Sequence, residues 1–187
     1  MSQLRTSQEP GGSSAVLGAL AAQGPHPEHA GELMLFGQLV GAWEFEGVEY
    51  GADGGSSEHT GEWHFGWVLE GRAIQDVLIT PARGDWADGQ PPDVYGTSIR
   101  FFDPRIGGWR VVWADPVNGK LSVLVARQVG DEIVMEGTTS DGLPMRWIWS
   151  EVTGTSAHWR NLVSSDEGET WRLREEMRLR RLGEGPG

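Results

Sequence analysis

No cysteine occurs in the 187 residues. Disulfides, thiolate metal ligands and cysteine nucleophiles are thereby excluded. Lysine is nearly absent as well: Lys120 stands alone among 15 basic side chains, the rest being arginine. Acidic side chains number 27, which gives a formal net charge of −12. Such a surface repels phosphate backbones and anionic headgroups, which argues against nucleic acid and membranes as partners. No apolar run approaches the ~20 residues that span a bilayer. The weakly apolar stretch 15–22 lacks a good charged region before it, so no secretory signal is expected and the expected location is cytoplasmic. A Gly-rich phosphate loop and a Gly-x-Ser-x-Gly elbow are both missing.

What is present is one domain's length of chain, enough to bury a core without staples. Residues 1–30 are rich in Gly, Ser, Pro and Ala and read as a flexible arm. Pro27 opens a short helix through residues 32–39, whose apolar positions recur at helical spacing, and Gly41 ends it. From Gly41 onward the period is two. Ten strands follow, at 42–50, 61–69, 72–80, 95–103, 109–115, 121–128, 132–138, 145–152, 157–164 and 171–181. Asn118-Gly119, Gly130-Asp131 and Asp141-Gly142 are hairpin signals, because these residues tolerate positive φ. The longest connector, 81–93, reads as a lid or mouth loop. A meander this long closes to remove its edges. The expectation is an all-β fold: a single antiparallel up-and-down barrel over 31–182, a flexible arm before it and a short tail at 183–187.

Tryptophan is the unusual component, with ten copies. Only Trp86 falls in a loop. Alternation puts Trp63, Phe65, Trp67 and Leu69 on one face of their strand. It does the same for Trp109, Val111, Trp113 and Asp115; for Met145, Trp147 and Trp149; for Trp159, Asn161 and Val163; and for Trp171, Leu173, Glu175, Met177 and Leu179. The opposite faces carry Arg110, Arg146, Arg160, Arg172, Arg174 and Arg178 and read as solvent-facing. A solid aromatic core satisfies this pattern. So does a partly empty interior, since a barrel of about ten strands is too wide to fill with side chains.

Gly41-Ala42-Trp43, a Gly-x-Trp on the first strand just after a short helix, resembles the opening of the calycins, the lipocalin and fatty-acid-binding-protein group. The resemblance implies that Trp43 packs at the closed end of the barrel beneath an Arg from the last strand, here Arg180 or Arg181. Parity with Trp171 and Leu179 favours Arg181. Leu39-Val40-Gly41-Ala42-Trp43, Trp67-Val68-Leu69-Glu70-Gly71-Arg72 and Gly168-Glu169-Thr170-Trp171 are similar to a family of lipocalin-like bacterial proteins of unknown function, over residues 33–181. The family implies a fold and no activity. Haem-binding barrels of the nitrobindin type resemble the first strand but need a His near the chain end. Strand 171–181 has none, so haem is not expected.

The remaining chemistry is sparse. His26 and His29, at i, i+3, read as a solvated pair, and His158 falls on the Arg-bearing face. His64 alternates with the aromatic face and should point outward, unless a bulge or lid reverses it. As the strand histidine beside two Trp it is a candidate general base. Asp115, Asn161 and Glu175 break otherwise apolar inward faces. A buried carboxyl must be hydrogen-bonded, paired or raised in pKa. Asp115 has a structural alternative as cap of the turn at Pro116, and Glu175 one as partner of Arg127.

Two function classes remain. One is a binding module that holds a small apolar, ring-containing molecule against Trp63, Trp67, Trp113, Trp147, Trp149, Trp159 and Asn161. The other is a cofactor-free enzyme, a cyclase, isomerase or hydrolase, with Glu175, Asp115 and His64 as candidate acid–base groups. Neither class needs a metal or a cofactor. The protein is expected to be a monomer or homodimer.

Overall fold

The computed structural model describes residues 12–86 and 91–183. The start of the arm, the middle of the long connector and the C-terminal tail lie outside the described residues. Ten strands form: β1 Gly41–Tyr50, β2 Ser56–Val68, β3 Ala73–Thr80, β4 Val94–Asp103, β5 Gly108–Asp115, β6 Lys120–Val129, β7 Glu132–Thr138, β8 Pro144–Ser150, β9 Ser156–Val163 and β10 Arg172–Arg181. Each pairs antiparallel with its neighbour in sequence, and β10 closes on β1. The expected up-and-down barrel is therefore the observed one. Gly119 (φ +62) and Gly130 (φ +61) sit in the tight turns flanking β6, a conformation that costs other residues a Cβ clash.

One end of the barrel is plugged. Helix α1 covers Gly12–Leu20 and α2 covers Ala30–Gly37. Pro27 opens a separate 3-10 turn, Pro27–His29, so α2 starts and stops slightly earlier than the sequence suggested. Leu33 and Phe36 on α2, with Leu39 beyond it, are buried. The Phe36 ring meets Trp109 edge-on at 4.9 Å. Trp43 is fully buried at the same end, and its Nε1 donates to Leu39 O at 2.7 Å. Arg181 lies over the Trp43 ring, its Cζ 4.1 Å from the ring centroid. Arg181 Nη2 donates to Gln38 O (2.7 Å) and Nη1 to Val40 O (2.5 Å). One guanidinium thus ties the last strand to the chain entering the first.

The segment from Leu20 to His26, assigned by composition to the arm, is hydrogen-bonded to the β2–β3 turn. Leu69 N donates to Leu20 O (3.0 Å), Ala22 N to Trp67 O (3.1 Å) and His26 N to Gly71 O (3.0 Å). No described helix is long and apolar enough to cross a membrane.

Alternation misassigns two places. β10 carries a register irregularity between Leu173 and Glu175, so Leu173 pairs with Leu162 while Glu175 pairs with Asn161. The extra residue flips the start of the strand. Trp171 therefore lies outside, with the Arg146 guanidinium 4.1 Å from its ring centroid, and Arg174 is turned to the barrel's rim. In β6 the inner residues are Leu124 and Ala126, both buried, while Val123 and Arg127 are exposed. Arg127 consequently cannot be the partner of Glu175. Both faces of that strand carry aliphatic residues, so its parity was ambiguous.

Candidate functional site

Inward positions of β2, β5, β8 and β9 bring Trp63, Trp113, Trp147 and Trp159 around a cavity of about 660 Å³. The turns at the end away from α2 form its rim, with Glu49, Asp93, Lys120, Ser140 and Arg174 among them. The rings stand steeply to one another. Trp113 and Trp147 are 6.3 Å apart at 85°, Trp147 and Trp159 5.8 Å at 58°, and Trp63 and Trp159 5.8 Å at 79°. Mutual edge-to-face and tilted contacts hold such rings in place around the open space. A volume of this size lies within the range of small-molecule pockets, about 300–1,000 Å³.

The wall between β1, β2 and β10 holds a titratable pair. His59 Nε2 is 3.1 Å from Glu175 Oε1, and both side chains are about four-fifths buried, with exposures of 20% and 23%. Gly47, directly opposite His59 in strand register, makes the room: a Cβ there would meet His59 Nε2 at 2.5 Å. Phe45 packs edge-on against the imidazole at 5.9 Å. With Nε2 toward the carboxylate, Nδ1 is the ring nitrogen left for another partner.

The floor holds a second pair, deeper. Arg100 and Asp76 are each 1% exposed and form an ion pair between Nη1 and Oδ2. Ser98 N donates to Asp76 Oδ1 at 2.9 Å, and Arg100 Nη2 donates to Ser98 Oγ at 3.3 Å. The guanidinium also lies 5.3 Å from the Phe36 ring centroid and 5.5 Å from that of Phe65. It separates the cavity above from the helical plug below.

Of the sequence candidates, Trp63, Trp113, Trp147, Trp159, Asn161, Asp115 and Glu175 all line the cavity. Asp115 also serves its turn, accepting from Asn118 N (3.3 Å) and Asn118 Nδ2 (2.7 Å). Trp149 lies in the core rather than on the cavity wall, 4.9 Å from Trp63 and 5.8 Å from Phe65. Trp67 packs against Gly37 of α2 at the plugged end. His64 keeps the outward side that alternation gives it. Its Nε2 lies 2.8 Å from Glu62 Oε2 and 3.3 Å from Arg83 Nη2. The Arg83 guanidinium, 2.6 Å away, holds the Glu62 carboxyl at about 2. His158 is on the outer side too, with Nε2 2.8 Å from Glu176 Oε2. The Tyr50 hydroxyl, donating to Glu176 Oε1, is the largest cause of that carboxyl's lowered pKa, and His158 adds to it. Among the described residues no cluster of three or more His, Asp and Glu could hold a metal ion.

Sequence reasoning missed His59, Asp76 and Arg100. His59 shares the parity of Trp63, but β2 starts at Ser56, five residues before the start at Gly61 that the sequence pattern marks. Asp76 lies between Ile74 and Leu78, and Arg100 between Ser98 and Phe102, so both were readable as inward polar residues.

Fold and site together define a calycin-like barrel with an aromatic cavity open at one end. Solved structures agree on the fold. Rv2717c from M. tuberculosis superposes with a TM-score of 0.56 at 19% identity, covering 82% of this chain and 99% of that one. The S-type phycobiliprotein lyase CPES from Guillardia theta superposes with a TM-score of 0.53 at 9% identity, covering 81% of this chain and 93% of that one. No protein-family model and no curated protein sequence matches this chain.

Proposed function

We propose that this protein binds one small, ring-containing molecule with an apolar body inside its barrel. The observation that carries the proposal is the open cavity walled by Trp63, Trp113, Trp147 and Trp159. A barrel filled with side chains has no use for four large indoles around empty space. The likeness to a phycobiliprotein lyase supports it as analogy of fold. Native mass spectrometry of freshly purified protein tests it. A co-purified organic mass, lost on denaturation, is the expected result. A bare protein that also ignores a varied panel of ring compounds contradicts it.

A second reading is favoured by the His59–Glu175 pair: a cofactor-free enzyme acting on the bound molecule. A histidine 3.1 Å from a carboxylate on the wall of such a cavity can take a proton from one position of a substrate and return it at another. The two readings separate on the fate of the ligand. A carrier returns it unchanged. An enzyme returns an isomer or product, and His59→Gln abolishes that conversion while binding persists.

A further inference from the structure

The charges around the cavity are unbalanced. Glu49, Glu58, Asp93, Asp115, Asp141 and Glu175 line it, against three basic residues, Arg100, Lys120 and Arg174. Asp76 already neutralises Arg100 at the floor. Lys120 is the cross-strand partner of Asp115, and Arg174 Nε is 3.9 Å from Glu49 Oε1. Among the described residues, Glu58, Asp93 and Asp141 form no ion pair, and Glu175 has only the imidazole of His59. The whole chain adds a net charge of −12 behind them. Low-dielectric barrel walls focus such a field into the opening.

The aromatic wall has the same preference. An indole face carries the negative lobe of the ring quadrupole and attracts a cation, most strongly when the cation is desolvated. Register places the groups side by side. Glu175 pairs with Asn161, Asn161 pairs with Trp147, and Trp159 faces inward two residues along β9. Glu175 thus shares the cavity wall with both indoles, diagonal to Trp159 and with Asn161 between it and Trp147, and the two ring planes meet at 58°. An anionic ligand meets repulsion from both features, and a neutral one gains only apolar and ring–ring contact with the indoles.

Resting on the ligand-site reading above, we propose that the molecule held here is a ring-bearing organic cation, a quaternary ammonium or protonated tertiary amine. Its cationic centre sits against Trp147 and Trp159, and Glu175 is the counter-ion. The apolar ring occupies the space bounded by Trp63 and Trp113.

Three benzyl probes test this by quenching of tryptophan fluorescence: benzyltrimethylammonium, its uncharged carbon isostere neopentylbenzene, and the smaller anion phenylacetate. The expected order puts the ammonium about tenfold tighter than the isostere, with phenylacetate weakest. Added salt should weaken the ammonium alone. Glu175→Gln should cut ammonium affinity about tenfold and leave the isostere nearly unchanged. Trp147→Leu keeps an apolar wall without the π face and should act likewise, so the test survives if one variant folds poorly. An isostere equal to or tighter than the ammonium overturns the charge inference while leaving a ligand site. So does phenylacetate binding tightest, or Glu175→Gln and Trp147→Leu weakening both probes alike. Failure of all three probes to bind removes the ligand-site reading itself, and this inference with it.

Discussion

Arg100 and Asp76 have each been taken almost wholly out of water, which costs several kcal/mol per ion before their attraction and hydrogen bonds offset it. Removing one partner leaves an uncompensated charge. Asp76→Ala should therefore lower stability by about 3–5 kcal/mol in urea denaturation. The double change Asp76→Leu with Arg100→Met should recover most of that loss. If Asp76→Ala proves neutral, water reaches the floor and the cavity extends below it. At the surface, Glu62 behaves differently. Its carboxyl falls from the ordinary 4.5 to about 2 beside Arg83, and Asp166 is also held at about 2, chiefly by the Thr170 hydroxyl. With folded values depressed, the unfolded chain binds more protons, so this stabilisation is complete above about pH 4.5 and disappears as pH falls toward 2. Urea midpoints measured from pH 6 down to pH 3 should fall, and Glu62→Gln should flatten that fall. An unchanged slope in the variant would show that the pair contributes nothing to folding. Single residues were legible in the sequence where a polar side chain interrupts an apolar face, as Asn161 and Glu175 do. Asp76 carries the same signal between Ile74 and Leu78.

Strands act here through their small residues as well as their large ones. Gly96 on β4 lies under the tip of the Trp113 ring, and Gly61 on β2 lies under Phe45. A methyl at Gly96 would push Trp113 toward the cavity, so Gly96→Ala should weaken ligand binding while the barrel persists. Near-UV circular dichroism and dye titration read the two effects separately, and unchanged affinity would show that Trp113 has room to yield. Trp43 belongs to the plugged end. Trp43→Ala should cost about 3–5 kcal/mol, as loss of a large buried aromatic does, with ligand affinity unchanged at temperatures where the protein remains folded. Alternation made most of these elements legible, because one face of each strand is buried and the period is two. It failed where its physical premise fails. A bulge in β10 resets the parity and moves Trp171 outside. β6 has aliphatic residues on both faces. His59 lies before the aromatic run that marked β2, in a polar stretch of Ser, Glu and Thr without the apolar alternation that marks a strand, although Asp53-Gly54-Gly55 signals the turn just ahead of it.

Barrel closure leaves one end capped and the other lined by turns, so the molecule has a direction. The chain before β1 contributes to the capped end. Hydrogen bonds at Leu20, Ala22 and His26 tie it to β2 and the β2–β3 turn. A chain beginning at Pro27 loses these partly exposed bonds, worth about 1–2 kcal/mol in total, and its Tm should fall by only a few degrees. A larger collapse would make that segment part of the core. At this scale the sequence spoke clearly, since ten alternating segments with short turns have few ways to fold other than a closed meander. Whether the interior is hollow depends on the tilt and stagger of the strands, which no local pattern encodes. The decisive measurement is titration with an apolar ring dye that accepts tryptophan emission. Saturable binding at one site per chain is expected, about tenfold weaker in Trp159→Ala, where a buried aromatic contact is lost, and unchanged in Trp171→Ala, whose ring lies outside. Binding that is absent, unsaturable or equally sensitive to both substitutions would contradict a ligand site within the barrel.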